Sequence, residues 1–240
     1  MERPGRQRLC VALDGTDRRW LTATAARLAS RVGWLKIGLE AFTAHGPGLV
    51  EEVAATGTPV FLDLKLHDIP TTVRRAAGNC AALGVGMLTV HAAGGPEMAA
   101  AARAGVAEAK GKERPMVVAV TVLTSLDREI LQALGIEGAP EEIVSRWARL
   151  AQDAGLDGVV ASAREAPIVR AACGPDFLIV TPGIRPSWAP ADDQRRVVTP
   201  AEGQALGADI LVVGRPVTRA PDPGLAAERI LAEMVSGRQA

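Results

Sequence analysis

Eight short apolar runs with β-strand character alternate with helical patterns along the whole chain, and this repeat limits the folds open to it. The runs lie at residues 8–14, 34–39, 60–65, 87–92, 116–121, 158–162, 177–181 and 210–214. Between them fall amphipathic stretches such as 18–31, 69–83, 96–109, 141–154 and 223–235. A strand followed by a helix and another strand requires a crossover, which makes the strands parallel and buries both faces of the sheet. Gly33, Gly84, Gly155 and Gly207 stand between a helical pattern and the next strand, where a left-handed helix stop is expected. Eight such units in 240 residues fit an α/β fold of the closed (β/α)8 (TIM) barrel type better than a doubly wound open sheet. With 48% hydrophobic residues and no Pro-, Gly- or Ser-rich linker, residues 1–240 read as a single barrel domain. Its active site is expected at the C-terminal ends of the strands.

Several function classes are disfavoured. The formal net charge is zero and no basic block occurs, so nucleic acid is not an expected partner. No apolar run approaches a membrane span, and residues 1–8 lack the apolar core of a signal peptide. Cys10, Cys80 and Cys173 are scattered through apolar segments and read as reduced core thiols, which suits the cytoplasm. No CxxC or HxxxH spacing predicts a metal site, and no GxGxxG or Walker loop predicts a nucleotide cofactor. The expectation is no cofactor and no metal.

Chemistry concentrates in Asp63-Leu64-Lys65-Leu66-His67-Asp68-Ile69-Pro70-Thr71-Thr72. Period-two alternation puts Phe61, Asp63 and Lys65 on one face of the third strand and Leu62 and Leu64 on the other. An acid and an ammonium therefore sit together at the C-terminal end of an apolar strand, with Asp68 in the following turn. An isolated Asp-x-Lys is more often a buried salt bridge tying strand to helix. Lysine usage argues for more: only four of the 27 Lys and Arg residues are Lys, and two of them, Lys36 and Lys65, interrupt apolar strands. The other two, Lys110 and Lys112, fall in a polar stretch that reads as an exposed loop. Lysine can donate a proton, which arginine practically cannot. In a barrel, Asp14, Lys36, Asp63, Lys65, His91, Thr124, Ser125, Thr181 and Arg215 would all converge on one mouth.

These residues carry a resemblance to orotidine 5′-phosphate decarboxylases, in their short bacterial form. The run from Asp63 to Thr72 is similar to that family's signature almost residue for residue. Ala12-Leu13-Asp14, Lys36-Ile37-Gly38, Leu123-Thr124-Ser125, Thr181-Pro182-Gly183-Ile184-Arg185, Asp193-Gln194-Arg195 and Val213-Gly214-Arg215 follow in the family's order. The stretch Ser187-Trp188-Ala189-Pro190 is less family-like. The resemblance implies cofactor-free decarboxylation of orotidine 5′-phosphate to UMP and CO2, the last step of de novo UMP biosynthesis. It makes Lys36, Asp63, Lys65 and Asp68 an alternating catalytic array, with Lys65 as proton donor. It assigns the whole run Asp63, Leu64, Lys65, Leu66, His67, Asp68, Ile69, Pro70, Thr71 and Thr72 to substrate binding. Asp14 and Lys36 would hold ribose hydroxyls, and Thr124 and Ser125 the pyrimidine edge. Gly214 and Arg215 would take the phosphate, with Arg185 at the base of a lid and Gln194 closing over it, and Pro182 is among the substrate contacts. It further implies a homodimer in which Asp68, Ile69 and Thr72 complete the neighbouring subunit's site.

Other residues take plainer readings. His91 is a core histidine or a group behind the reacting ones, His67 structural, His45 surface. Trp20, Trp34 and Trp147 read as packing, Trp188 as an exception. Two competing functions remain: a Mg-dependent sugar-phosphate decarboxylase or synthase of the same barrel group, and a non-catalytic phosphate-binding barrel. The former needs a divalent cation near Asp63, which the Lys36 ammonium opposes.

Overall fold

Alternation along each strand sorts its side chains between two cores. In a computed structural model of the chain, which describes residues 5–109, 113–189 and 198–236, eight strands run parallel. They are β1 (Leu9–Leu13), β2 (Trp34–Gly38), β3 (Val60–Leu66), β4 (Met87–His91), β5 (Met116–Val120), β6 (Gly158–Val160), β7 (Leu178–Thr181) and β8 (Ile210–Val213). They close in sequence order, β8 pairing with β1. Cys10, Ala12, Trp34, Phe61, Met87, Val118, Leu178, Val180, Ile210 and Val212 fill the barrel interior. Their sequence neighbours, among them Val11, Leu35, Leu62, Leu88, Val117, Ile179 and Leu211, face outward and pack with the helices. A barrel strand is thus buried on both faces, which is why these runs are apolar throughout.

Helices α1 (Arg18–Leu28), α2 (Leu39–His45), α3 (Pro47–Ala54), α4 (Pro70–Ala82), α5 (Gly95–Glu108), α6 (Arg128–Ala133), α7 (Pro140–Asp153), α8 (Ala166–Cys173), α9 (Pro200–Ala205), α10 (Arg215–Thr218) and α11 (Pro223–Ser236) connect and cover the strands. Pro47, Pro70, Pro140 and Pro200 open their helices, where a missing N–H costs nothing and the fixed φ is already helical. Asp17 caps α1 by accepting from the Trp20 N–H at 3.1 Å. Thr199 and Glu202 cap α9 reciprocally.

Gly84, Gly155 and Gly207 adopt the expected positive φ, but Gly33 does not. The left-handed residue after α1 is Ser30, so that helix ends at Leu28 instead of continuing to residue 31. Gly33 is required by close approach: a Cβ there would lie 2.6 Å from the Gln7 Cα.

The third strand breaks the regular ladder. Leu62 pairs with Leu88 and Leu66 with Val90, so four steps along β3 answer two along β4. The bulge falls between Leu62 and Leu66, so it contains Asp63 and Lys65 and re-aims the end of the strand.

Candidate active site

Register brings the inward columns of β1, β2 and β3 together at the barrel mouth. Ala12 is level with Lys36, Lys36 with Phe61, and Gly38 with Asp63. Above the apolar floor, Lys36 Nζ lies 3.6 Å from Asp14 Oδ1 and 3.3 Å from Asp63 Oδ2. Lys65 Nζ donates to Asp63 Oδ1 at 2.8 Å. The Lys36 and Asp63 side chains are each 13% exposed, Lys65 31% and Asp14 53%. Gly38 leaves room for this arrangement, since a Cβ would come within 2.9 Å of Lys36 Nζ.

Four ions alternate in sign, and the alternation lets them tolerate burial. Burial by itself would push the Asp63 carboxyl up. The ammonium groups of Lys36 and Lys65, with hydrogen bonds from Lys65 and Thr89, instead hold it below the usual carboxylate range. Burial likewise opposes the charged form of Lys36, but Asp63 and Asp14 outweigh it and raise its pKa. The Cys10 thiol below is pushed far up by burial and stays neutral.

Lys65 has φ +53°, a left-handed conformation that among the non-glycine described residues only Ser30 shares. Its backbone N–H donates to Thr89 Oγ1 at 2.8 Å, and the same hydroxyl donates to Asp63 Oδ1 at 3.0 Å. Thr89 is fully buried. Sequence reasoning missed it, although the signal was present: Thr89 lies two residues after Met87 and two before His91, on the inward face of β4.

The other expected residues divide into three groups. Asp14, Lys36, Pro182, Arg185, Gly214 and Arg215 line one cavity of about 610 Å³. Its rim also includes Trp20 and Glu40, so Trp20, read as packing, is in fact part of the cavity wall. Arg185 is buried, and its N–H donates to the Val198 carbonyl at 2.9 Å beside an Ile184–Val198 bridge. That closes the base of the segment between β7 and α9. Gln194, with Asp193 and Arg195, lies outside the described residues, as do Lys110 and Lys112.

A second group is exposed. His67, Asp68, Ile69, Pro70, Thr71 and Thr72 leave the mouth along the turn into α4, while Leu64 and Leu66 pack against the outer core. Asp68 accepts from the Ile69 N–H at 2.6 Å and makes no ion pair among the described residues. Within one chain the fourth ion of the array is therefore Asp14, because the turn after the bulge carries Asp68 outward. Thr124 and Ser125 are exposed in the turn after β5 and do not line the cavity.

Thr181 does not reach the mouth at all. Its strand alternation places it outward beside Ile179, fully buried against the helices.

His91 and His67 stack at 5.3 Å, and Trp147 meets His91 edge-on at 6.4 Å. Burial, then His67 and Lys65, lowers the His91 pKa. His45 bonds the Thr16 carbonyl at 2.9 Å, and Trp34 packs inside the barrel. Trp188 lies under the Arg229 guanidinium at 4.3 Å, tied with Ser187 to α11. No group of three or more His, Cys, Asp or Glu side chains suited to a metal occurs among the described residues. No helix among them is long and apolar enough to cross a membrane.

The chain as a whole resembles known proteins. An orotidine 5′-phosphate decarboxylase of Geobacter sulfurreducens is 52% identical over 233 residues, covering 97% of this chain and 98% of that one. One of Moorella thermoacetica is 54% identical, covering 95% and 92%. The crystal structure of orotidine 5′-phosphate decarboxylase from Lactobacillus acidophilus superposes with a TM-score of 0.85 at 36% identity, covering 94% of this chain and 98% of that one. The structure of the Pyrococcus horikoshii enzyme, 22% identical with a TM-score of 0.76 over 95% and 99%, shares the fold. Residues 7–230 match the sequence family described as orotidine 5′-phosphate decarboxylase / HUMPS, and the chain belongs to that family.

Proposed function

We propose that this protein converts orotidine 5′-phosphate to UMP and CO2 without a cofactor, closing de novo UMP synthesis. One observation carries the reading: two ammonium groups, Lys36 and Lys65, grip one largely buried carboxylate, that of Asp63, at the barrel mouth. When the bond from C6 to the substrate carboxylate breaks, its electron pair stays on C6, where the ring delocalises it poorly. Fixed charge must stabilise that carbanion, and charges already held by neighbours need no reorganisation as it forms. Lys65 supplies the nearby positive charge and then its proton to C6. Solvent returns the proton to the amine, so one proton is consumed per CO2 released. Asp63 stands beside the departing carboxylate and keeps Lys65 aimed and charged.

The remaining placements support a mode of binding. Asp14 and Lys36 address the ribose, and Gly214 and Arg215, on the same cavity wall, address the phosphate. Arg185 forms the base over which Gln194 closes, and Pro182 contacts the substrate from the same cavity. Thr124 and Ser125 complete the pyrimidine edge from the β5 turn. The exposed run from His67 to Thr72 serves a homodimer, in which Asp68, Ile69 and Thr72 enter the partner's site. The whole chain works as one barrel domain in the cytoplasm, with no nucleic acid or membrane partner.

The test is the loss of ultraviolet absorbance of orotidine 5′-phosphate on addition of purified protein with EDTA present. Turnover unaffected by EDTA is expected. An inert protein would defeat the reading. Activity abolished by EDTA and restored by Mg2+ would replace it with the sugar-phosphate chemistry, whose cation would have to displace the Lys36 ammonium 3.3 Å from Asp63.

A further inference from the structure

Lys65 is an L-residue held at φ +53° at the end of a bulged strand, and such a conformation persists only where its surroundings enforce it. The contact that meets it from the neighbouring strand is the Thr89 hydroxyl. That hydroxyl has one proton and two lone pairs, and both capacities are used on this site. It accepts from the Lys65 N–H at 2.8 Å and gives its proton to Asp63 Oδ1 at 3.0 Å. Asp63 Oδ1 also receives Lys65 Nζ at 2.8 Å, and Lys36 faces Oδ2 at 3.3 Å. Backbone of the lysine, head of the lysine and carboxylate thus form one ring through a single buried hydroxyl.

We propose that Thr89 is a positioning residue of this site, fixing in one step the backbone of Lys65 and the carboxylate that Lys65 pairs with. Valine has nearly the same shape and neither hydrogen-bonding capacity. Thr89→Val leaves the Lys65 N–H without its acceptor in a partly buried bulge and removes one of the donors that orient Asp63. The ammonium then no longer has a single resting place relative to C6. Proton transfer and charge stabilisation suffer, because both depend on distances held to a fraction of an ångström. Ribose and phosphate contacts come from β1, β2, β8 and α10 and do not pass through β4, so ground-state binding stays close to normal. Serine retains both capacities of the hydroxyl and restores the ring.

What is measured rests on the decarboxylase reading, yet the two fail differently. The assay compares kcat and KM for orotidine 5′-phosphate, and Kd for UMP, in wild type, Thr89→Val and Thr89→Ser. The valine variant should lose about tenfold or more in kcat, the factor carried by one hydrogen bond to a charged group. KM and the UMP Kd should stay within about threefold, and serine should recover kcat to within about threefold, since it keeps the donor and the acceptor. A valine variant with kcat within about twofold of wild type would overturn the proposal, as would serine as impaired as valine or a loss confined to KM and Kd. If circular dichroism shows the valine variant unfolded, Thr89→Cys, similar in size to serine with only a weak donor, takes its place under the same outcomes. A wild-type protein inert toward orotidine 5′-phosphate would defeat the decarboxylase reading alone. Crystal structures of wild type and Thr89→Val then decide: a displaced Lys65 backbone supports the proposal, and Lys65 and Asp63 unmoved without the hydroxyl overturn it.

Discussion

Replacing Lys36 with methionine should destabilise this protein, and adding Asp63→Asn should give part of the stability back. Lys36 and Asp63 approach to 3.3 Å with side chains 13% exposed. At an effective dielectric constant near 20, that separation corresponds to a gross attraction of about 5 kcal/mol. Desolvation of the ammonium offsets part of this, and removing one member of a buried pair typically costs about 3–5 kcal/mol, since the other stays buried and uncompensated. Here Asp63 keeps Lys65 at 2.8 Å, which lowers the expected loss. Lys36→Met should therefore cost about 2–3 kcal/mol, a fall in Tm of about 4–12 °C for a chain of this size.

In Lys36→Met/Asp63→Asn the orphaned charge is gone. Lys65, 31% exposed, can turn to water, so the double variant should melt above Lys36→Met alone. The sign with pH follows from the two shifts. Asp63 is depressed, so its contribution is present above the carboxylate range and lost as pH falls through its folded value. Lys36 is raised, so its contribution holds below the ordinary lysine range and is lost as pH rises through its folded value. The Tm gap between wild type and Lys36→Met should accordingly be widest near neutrality and close on the acid side. Calorimetry of the four proteins of this cycle near pH 7, and of wild type and Lys36→Met down to the carboxylate range, measures both effects. Additive losses, with the double variant least stable, would refute the idea that alternation of charge is what stabilises the array.

Three further outcomes concern function. Lys65→Ala should abolish turnover of orotidine 5′-phosphate while circular dichroism and UMP binding remain near normal, because ribose and phosphate contacts lie on other strands; near-normal turnover would remove Lys65 as proton donor. Lys65→Ala and Asp68→Ala, each severely impaired alone, should regain activity when mixed, since one site of a hybrid dimer collects both intact residues. No recovery after confirmed subunit exchange would mean that Asp68 acts in its own chain. Arg215→Ala should lower kcat/KM by about 2–3 kcal/mol on the phosphorylated substrate and little on the nucleoside, because remote phosphate binding stabilises the closed reacting complex. Equal losses on both substrates would assign Arg215 to the fold.

The barrel was legible because its rule is local. Each strand must be apolar on two faces and each helix on one, and the chain writes that alternation from residue 8 onward. Asp14, Lys36 and Asp63 were legible for the same reason, as polar side chains interrupting an inward column near the strand ends. Thr181 obeys the same alternation and was misplaced only because its strand is one residue out of phase with an inward end. Thr124 and Ser125 depend on a turn, where no periodicity says which way a side chain points.

What the sequence by itself determined was the order of elements, the strand faces and the set of charged groups brought to one mouth. The tertiary structure decided how they are held there. The two-residue slip between β3 and β4 belongs to neither strand alone, since pairing register is a property of two chain segments packed together. From that slip follow the left-handed Lys65 and the outward turn of Asp68. Thr89 becomes the contact between the Lys65 backbone and the Asp63 carboxylate only across a sheet, 24 residues from the lysine whose N–H it receives. A linear pattern records which residues share a face; the distances between faces come into existence only when the barrel closes.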